Sequence, residues 1–227
     1  MADASAPQVA IVDYGMGNLF SVQQALEHVG LRAHRTSSSS DLLGADGVIL
    51  PGVGAFGDAM ATLRRLGLVE VLHEVAASGR PLVGICLGMQ LLMTQSHEFG
   101  RHQGLGLIDG DVVRFEAPQE GGATMKVPQV GWNRITRRDR SWEQTWLEGL
   151  QDGTFLYFVH SFYVTPRDPS VVLSTSRYGH IEFCSSLQQG NLIASQFHPE
   201  RSGPQGLRMY RNLAVRLMAS AREVHRV

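Results

Sequence analysis

The chain has 227 residues, of which 43% are hydrophobic and 18% charged, which suits one or two compact domains with a sizeable core. Its 20 basic residues nearly balance its 21 acidic residues, and no basic block is interleaved with aromatic residues, so nucleic acid is not an expected partner. The N-terminus lacks a signal-peptide pattern and no apolar run approaches the roughly 18 residues of a membrane span, so we expect a cytoplasmic protein without a membrane partner.

The first half of the chain alternates apolar runs of strand length with amphipathic segments. Strands are predicted at residues 9–14, 31–35, 47–52 and 80–86, because these runs are apolar or alternating and end at turn residues. The apolar spacing predicts one helix that begins near Leu19, a long helix over residues 58–79, and a third helix over residues 87–95. This βαβ alternation indicates a mainly parallel sheet that is covered by helices on both faces.

The second half of the chain changes character after Gly104. Successive strands with turn signals between them are predicted within residues 104–115, 126–135, 154–164, 171–178, 180–188 and 191–197, and a helix over residues 206–223 ends the pattern. The predicted fold class is therefore α/β, a three-layer open and mostly parallel sheet with flanking helices and a β-rich, partly antiparallel second half. We expect a single domain over residues 1–227, in which residues 1–7 are a flexible N-terminal extension.

Cys86 lies in the stretch GICLGMQ, between a predicted strand and a predicted helix. The carboxyl end of such a strand is where open α/β sheets place their ligands, and free N–H groups at the helix start favour a thiolate. Gly84 and Gly88 would remove side chains from a strained turn, as glycines do in the nucleophile elbow of hydrolases. A lone cysteine in an apolar run is more often a core residue, so a nucleophile requires a base elsewhere.

That base is predicted in the stretch ASQFHPE, which closes an apolar run with His198, Pro199 and Glu200. Residues two apart on an extended chain point to the same side, and Pro199 favours the β region for His198. Glu200 would then orient the imidazole and raise its basicity, as the third member of a triad does. The stretch alone is a weak signal, but it gains weight beside a cysteine flanked by glycines.

An oxyanion hole is predicted from the loop PGVGAF, which ends the strand expected to lie beside the elbow strand. Its glycines allow backbone N–H groups to approach a developing oxyanion. The backbone amides of Val53 and Leu87 would be the two donors. Taken alone, the loop would be read as an ordinary βα turn.

The motifs PGVGAF, GICLGMQLL and FHPE, in this order and spacing, resemble the class I glutamine amidotransferases, which hydrolyse glutamine and pass ammonia to a synthase. Four stretches, DYGMGNL, PGVGAFGDAM, PQVGWN and YFVHSFY, are similar to one branch of this family, the glutaminase subunits that deliver ammonia to a cyclase in histidine biosynthesis. These motifs span residues 13–200. Phe162, where that branch often has a second tyrosine, and Arg201, where lysine is common, depart from its pattern.

The resemblance implies the corresponding fold, a Cys86, His198 and Glu200 triad, and glutamine hydrolysis through a thioester. It also implies a heterodimer with the cyclase subunit and no cofactor. No metal site is expected, because the sequence shows no H-x-x-x-H or C-x-x-C spacing. The glutamine-binding residues would be Gly52, Gln90, Glu98 and Ser161, and Glu98 suits the substrate ammonium. The partner-interface residues would be Asn18, Trp132, Tyr157 and Arg201, although a core position for Trp132 is equally open.

Two residues near these motifs are predicted to be structural. Cys184 lies within a strand without flanking glycines, so we expect an inert thiol, and His160 is expected to be a hydrogen-bonded structural residue. Two alternatives to this function stay open at this stage. Another amidotransferase or a cysteine peptidase could use the same triad, and a non-enzymatic regulator could retain the fold without using it.

Overall fold

A computed structural model of the chain describes residues 6–224. Its helices are α1 (Leu19–His28), α2 (Ser39–Gly44), α3 (Phe56–Arg65), α4 (Leu68–Ala77), α5 (Leu87–Leu91) and α6 (Gly203–Val224), with short 3-10 turns at Pro169–Val171 and Pro199–Arg201. The strands are β1 (Gln8–Val12), β2 (Arg32–Thr36), β3 (Gly47–Gly52), β4 (Leu82–Cys86), β5 (Met93–Ser96), β6 (His102–Gln103), β7 (Ile108–Arg114), β8 (Gln119–Glu120), β9 (Ala123–Thr124), β10 (Gln129–Arg134), β11 (Thr136–Arg137), β12 (Phe155–His160), β13 (Phe162–Pro166), β14 (Val172–Tyr178), β15 (Ile181–Gln189) and β16 (Leu192–Ser195).

The predicted α/β class is confirmed, and one large mixed sheet organises the molecule. Within the described residues this sheet has 12 strands, and its main path runs β2-β1-β3-β4-β16-β15-β13-β7-β5-β6. Neighbours from β2 to β16 are parallel, whereas β16, β15, β13 and β7 are joined by antiparallel pairings. The parallel part matches the βαβ pattern of the first half, and the antiparallel part matches the β-rich second half.

Two hydrophobic clusters cover the two faces of the sheet. Alternate residues of β1 enter different clusters, because successive side chains of a strand point to opposite faces. Ala10 and Val12 join the cluster that contains the inner side chains of α3 and α4. Val9 and Ile11 join the cluster formed with α1 and α6. Helices on both faces therefore bury the apolar strands, as predicted for this part of the chain.

Two of the predicted helices are wrong in extent. The helix predicted over residues 58–79 is two helices, because Gly67 adopts a left-handed φ of 68° and separates α3 from α4. The helix predicted over residues 87–95 ends at Leu91, and Met93–Ser96 forms strand β5 instead. β5 pairs with both β6 and β7, so sheet pairing outweighs local helical spacing in this segment.

The segment predicted as one strand over residues 154–164 is interrupted at Ser161. Its first part, β12, pairs with β10 in a separate two-stranded ribbon. Its second part, β13, pairs with β7 and β15 in the main sheet. The chain therefore passes from the ribbon to the main sheet at Ser161.

The flexible N-terminal extension over residues 1–7 stays a prediction, and its last two residues contact Arg32. The carbonyl oxygens of Ala6 and Pro7 accept hydrogen bonds from Arg32, through its side chain and its backbone N–H respectively, each at 3.0 Å. Residues 1–5 lie outside the described residues. In the part of the chain that the structure describes, no helix is long and apolar enough to cross a membrane.

Candidate active site

Cys86 occupies a strained turn at the carboxyl end of β4, immediately before α5. Its φ is 55° and its ψ is −109°, which is an uncommon backbone conformation for a residue with a side chain. A Cβ on Gly88 would lie 1.8 Å from the carbonyl oxygen of Leu50, and one on Gly84 would lie 2.8 Å from the carbonyl oxygen of Gly88. Both glycines are therefore needed for this close approach, as the elbow prediction required.

The predicted oxyanion loop lies next to this elbow. β3 is parallel to β4 with Gly52 opposite Cys86, so the loop begins beside the cysteine. Val53 is 44% exposed, and Gly54 has a φ of 97° that favours glycine. Val53, Gly54 and Leu87 line the same cavity as Cys86.

Tyr14 contacts the chain at the beginning of this loop, and the sequence did not identify it as part of the site. Its hydroxyl donates a hydrogen bond to the carbonyl oxygen of Pro51 at 2.8 Å. A Cβ on Gly52 would lie 2.4 Å from that hydroxyl oxygen. The motif DYGMGNL contains Tyr14, but only the fold shows that it reaches the loop after β3.

His198 and Glu200 lie on the other side of β4, beyond the end of β16. The Nδ1 atom of His198 is 2.8 Å from Oε1 of Glu200, and their side chains are 4% and 1% exposed. His198 is in the extended region, as predicted, but Pro199 begins a 3-10 turn that contains Glu200. The expected contact is therefore present, and a tight turn forms it rather than a continuous extended chain. Proline suits the first position of such a turn.

The pKa of His198 is determined by opposing influences. Burial alone lowers this pKa, but the charge of Cys86 and the hydrogen-bonded carboxylate of Glu200 outweigh burial and raise it above its ordinary value. The protonated form of the His198 imidazole is therefore favoured in this arrangement. The same residue can then donate a proton to a leaving group.

Two buried glutamines complete the surroundings of the sulfur. Nε2 of Gln90 donates to the carbonyl oxygen of Phe162 and to Oε1 of Gln196, each at 3.0 Å. Nε2 of Gln196 lies 3.6 Å from Sγ of Cys86. Gln90 was predicted in the site as a substrate-binding residue. Gln196 was missed, although it stands two residues before His198 at the end of an apolar run.

A cavity of about 270 Å³ opens onto Cys86. Of the predicted glutamine-binding residues, Gln90, Glu98 and Ser161 line it, and the other lining residues are Val53, Gly54, Cys86, Leu87, Pro128, Val159, His160 and Phe162. Gly52 is not among the lining residues. The substrate-binding roles stay predictions.

Glu98 joins the cavity to the beginning of α3. Its Oε2 accepts a hydrogen bond from the backbone N–H of Phe56, the first residue of that helix. A carboxylate can accept several hydrogen bonds, so this contact is compatible with a second interaction with an ammonium group. Glu98 is 9% exposed, which strengthens any such charge pair relative to one on the surface.

His160 and Cys184 have structural surroundings. Nδ1 of His160 lies 2.8 Å from the carbonyl oxygen of Phe162, and burial lowers the pKa of His160 to about 4. Cys184 lies within β15, and burial raises the pKa of its thiol to about 12. His160 is therefore a neutral imidazole at pH 7, and the Cys184 thiol is protonated.

The residues predicted at a partner interface lie near the triad or on the β10–β12 ribbon. Trp132 is 56% exposed, so it is a surface residue rather than a core residue. It contacts the ring of Tyr157 edge-on, with centroids 6.2 Å apart, and the guanidinium of Arg201 lies 4.6 Å from the Tyr157 centroid. Nδ2 of Asn18 lies 3.5 Å from Oε1 of Glu200. Their contact with a partner stays a prediction.

Comparison with known proteins identifies the family. The family described as Glutamine amidotransferase class-I matches residues 10–217. The chain belongs to the class I glutamine amidotransferases. This amidotransferase is 50% identical over 206 residues to the imidazole glycerol phosphate synthase subunit HisH of Rhodopirellula baltica, covering 91% of this chain and 96% of the relative. It is 47% identical over 208 residues to the subunit of the same name from Geobacter sulfurreducens, covering 90% and 97%.

Solved structures show the same fold at lower sequence identity. PurLQS from Thermotoga maritima matches this amidotransferase with a TM-score of 0.69 and 19% identity, over 93% of this chain and 99% of that chain. The glutaminase domain of Trypanosoma brucei CTPS with bound acivicin matches with a TM-score of 0.63 and 18% identity, over 96% and 94%. These matches show the amidotransferase fold beyond the close relatives.

Proposed function

We propose that this chain is the glutaminase subunit of imidazole glycerol phosphate synthase. It hydrolyses glutamine to glutamate and ammonia, and it delivers the ammonia to a cyclase subunit that forms imidazole glycerol phosphate and an aminoimidazole carboxamide ribonucleotide. The observation that carries this proposal is that His198, 2.8 Å from Glu200, lies close enough to Cys86 for their charges to interact, and that Cys86 lines a cavity of about 270 Å³. The family match and the names of the close relatives support it.

In the first half of the reaction, the sulfur of Cys86 attacks the side-chain amide carbon of glutamine. The C–N bond breaks as His198 gives its proton to the departing nitrogen, and ammonia leaves behind a thioester. Glu200 holds Nδ1 of His198 at 2.8 Å, which keeps the other ring nitrogen available for this transfer.

In the second half of the reaction, water hydrolyses the thioester. His198 accepts a proton from the attacking water, the C–S bond breaks, and glutamate leaves as the thiolate returns. The raised pKa of His198, which Cys86 and Glu200 produce against the effect of burial, suits a group that regains a proton in each cycle.

The residues that line the cavity stabilise the oxyanion and bind the substrate. The amides of Val53 and Leu87 stabilise the oxyanion that forms in both halves of the reaction, and one such donor contributes about 3 to 4 kcal/mol. Glu98 accepts the substrate ammonium, while Gln90 and Ser161 position the rest of the amino acid. A site with a fixed carboxylate for a free ammonium favours glutamine over an extended peptide, which argues against a cysteine peptidase.

The cyclase binds across the ribbon and the adjoining turn, where the exposed side chains of Trp132 and Arg201 both contact the half-buried ring of Tyr157. Asn18, whose amide is 3.5 Å from Glu200 in that turn, is a further interface residue. Large aromatic and arginine side chains are typical anchors of protein interfaces. Partner binding regulates the glutaminase by orienting the peptide of Val53, because Gly54 beside it accepts unusual backbone angles.

The proposal is tested by measuring glutamate release from the purified chain, alone and with the cyclase and the cyclase's ligand. We expect the complex with ligand to be faster by at least about tenfold, a typical size for coupling between two sites. Equal rates would contradict the regulation, and no glutamate release under either condition would contradict the glutaminase itself.

The interface is tested separately with Trp132→Ala. We expect weaker binding of the cyclase, measured by titration calorimetry, with the glutaminase fold unchanged. Val215→Ala is the matched control, because Val215 is also an exposed apolar residue, 67% accessible, but lies on α6. Equal affinities of both variants for the cyclase would show that Trp132 does not contribute to the interface.

A further inference from the structure

A chain of buried hydrogen bonds ends on the sulfur of Cys86. It begins at the carbonyl oxygen of Phe162, passes through the side-chain amides of Gln90 and Gln196, and reaches Sγ. Gln90 is 5% exposed and Gln196 is fully buried. β16 is in parallel register with β4 as far as Ser195 and Ile85, so the next residues, Gln196 and Cys86, emerge side by side.

The direction of every hydrogen bond in this chain follows from its first member. A carbonyl oxygen only accepts, so the atom of Gln90 that faces Phe162 must be the amide nitrogen. The second hydrogen of that nitrogen points to Gln196, which must therefore present its oxygen. The amide nitrogen of Gln196 is then left facing the sulfur, and it acts as a donor.

The sulfur of Cys86 has two hydrogen-bonding neighbours with opposite preferences. The imidazole of His198 and the hydroxyl of Tyr14 also interact with the sulfur electrostatically, and both are the same in every variant tested below. The carbonyl oxygen of Val159, 3.8 Å away, can only accept, and so it favours the protonated thiol. The amide nitrogen of Gln196, 3.6 Å away, donates and so favours the thiolate, because a hydrogen bond to the charged form stabilises that form. Between these two neighbours, only Gln196 supports the nucleophilic state.

We propose that Gln196 stabilises the thiolate of Cys86, and that Gln90 and the backbone of Phe162 hold its amide in the donating orientation. Gln196 contacts the reacting sulfur, whereas Gln90 acts on that sulfur only through Gln196. The consequence for glutamine hydrolysis rests on the proposed function, but the effect on the sulfur does not. In that reaction the donor assists attack and also assists departure of the thiolate when the thioester breaks.

The experiment measures the alkylation of Cys86 by iodoacetamide, in which the thiolate displaces iodide and forms a C–S bond. Rates are recorded against pH by mass spectrometry, with thermal unfolding as the check on folding. The variants are Gln196→Met, which keeps the length but removes the donor, and Gln196→Glu, which replaces the donor by a carboxylate. Gln188→Met is the matched control, because Gln188 is a buried glutamine that donates instead to the carbonyl of Gly190.

We expect Gln196→Met to move the pH of half-maximal alkylation upward by about one unit, which is about a tenfold loss of rate at lower pH. Gln196→Glu should move it further, because a carboxylate repels the thiolate. The control should keep the wild-type profile. A folded Gln196→Met protein with the wild-type profile would overturn the proposal.

If neither Gln196 variant folds, Gln90→Met decides the question. That variant frees the Gln196 amide to turn, so we expect a smaller shift in the same direction, and an unchanged profile would overturn the proposal. Glutamate release by the wild-type complex is measured in parallel. Its absence, together with the expected alkylation shifts, would contradict the proposed function and leave the role of Gln196 intact.

Discussion

The two cysteines are equally buried, but different chemical groups surround their sulfur atoms. Each is 6% exposed, but Cys86 lies at the elbow between β4 and α5, whereas Cys184 lies in the middle of β15. Cys86 has a left-handed φ of 55° and neighbours the amide of Gln196. Cys184 donates to the carbonyl of Ser186 at 3.5 Å, and burial raises its pKa to about 12. The two sulfurs are therefore equally buried but face different groups, and we expect those groups rather than burial to determine their reactivity.

The largest expected difference between the two regions is in activity. Cys86→Ala should lower glutamine hydrolysis by at least about a thousandfold, because loss of a triad nucleophile typically has an effect of this order. Cys184→Ala should remain near the wild-type rate. Glutamate release measures both, with the fold checked by circular dichroism. Residual activity of Cys86→Ala above a few thousandths of wild type would show that Cys86 is not the nucleophile.

The second difference is in labelling. At neutral pH, Cys86 should alkylate at least about a hundredfold faster than Cys184, because the nucleophile is the thiolate and Cys184 is held as a thiol. Brief iodoacetamide treatment followed by peptide mass spectrometry gives the two rates in one sample. Equal labelling of both cysteines would return Cys86 to the role of a core residue.

The third difference is in how much an added methyl group lowers the free energy of unfolding. Gly88→Ala should lower the free energy of unfolding by about 3 kcal/mol, because its Cβ would collide with the carbonyl of Leu50. Gly44→Ala in α2 is the control, since a Cβ there has no neighbour within 4 Å. Denaturant titration compares the two variants. Equal stabilities would show that the elbow does not depend on its close backbone approach.

The last expected effect, which is present only at acid pH, concerns His160, which lies between the two regions. Its ring lines the cavity of Cys86 and lies 5.1 Å from the ring of Phe183 on β15. Burial lowers its pKa from 6.5 to about 4, with the charge of His198 acting in the same direction and the carbonyl of Phe162 opposing it. Because the unfolded chain binds this proton more readily, the stabilisation is present above pH 6.5 and is lost as pH falls towards 4.

That loss should reach about 3 kcal/mol by pH 4. His160→Gln has no titrating imidazole, so its free energy of unfolding should fall less steeply over the same pH range. Parallel curves for variant and wild type, measured by denaturant titration at several pH values, would show that His160 does not titrate as its burial requires.

Parts of the site were predictable because they depend on neighbours in the chain. Gly84 and Gly88 indicated an elbow, and the proximity of His198 and Glu200 followed from their spacing, although a 3-10 turn rather than an extended chain creates the contact. Gln196 and Tyr14 were not predictable in the same way. Each acts on a residue far away in sequence, so no local pattern distinguishes it from a core residue.

The same distinction between local patterns and distant contacts applies to the secondary structure. The apolar runs of β1, β3 and β4 predicted buried parallel strands, because a strand covered on both faces needs continuous apolar residues. The break at Gly67 and the conversion of residues 93–96 into β5 were not predicted, since helical spacing continues through both segments. Pairing with β6 and β7 decided the second case.

The amino-acid sequence by itself determined the α/β class, the elbow, the pairing of a histidine with a carboxylate, and the resemblance to an amidotransferase family. These features depend on residue types at short spacing, where local backbone preferences act. Only the tertiary structure decided which amide faces the sulfur, which wall Glu98 joins and that Trp132 is exposed. These features depend on residues that are far apart in the sequence, such as Gln196 and Cys86 at the ends of neighbouring strands, and they exist only when folding brings those residues together.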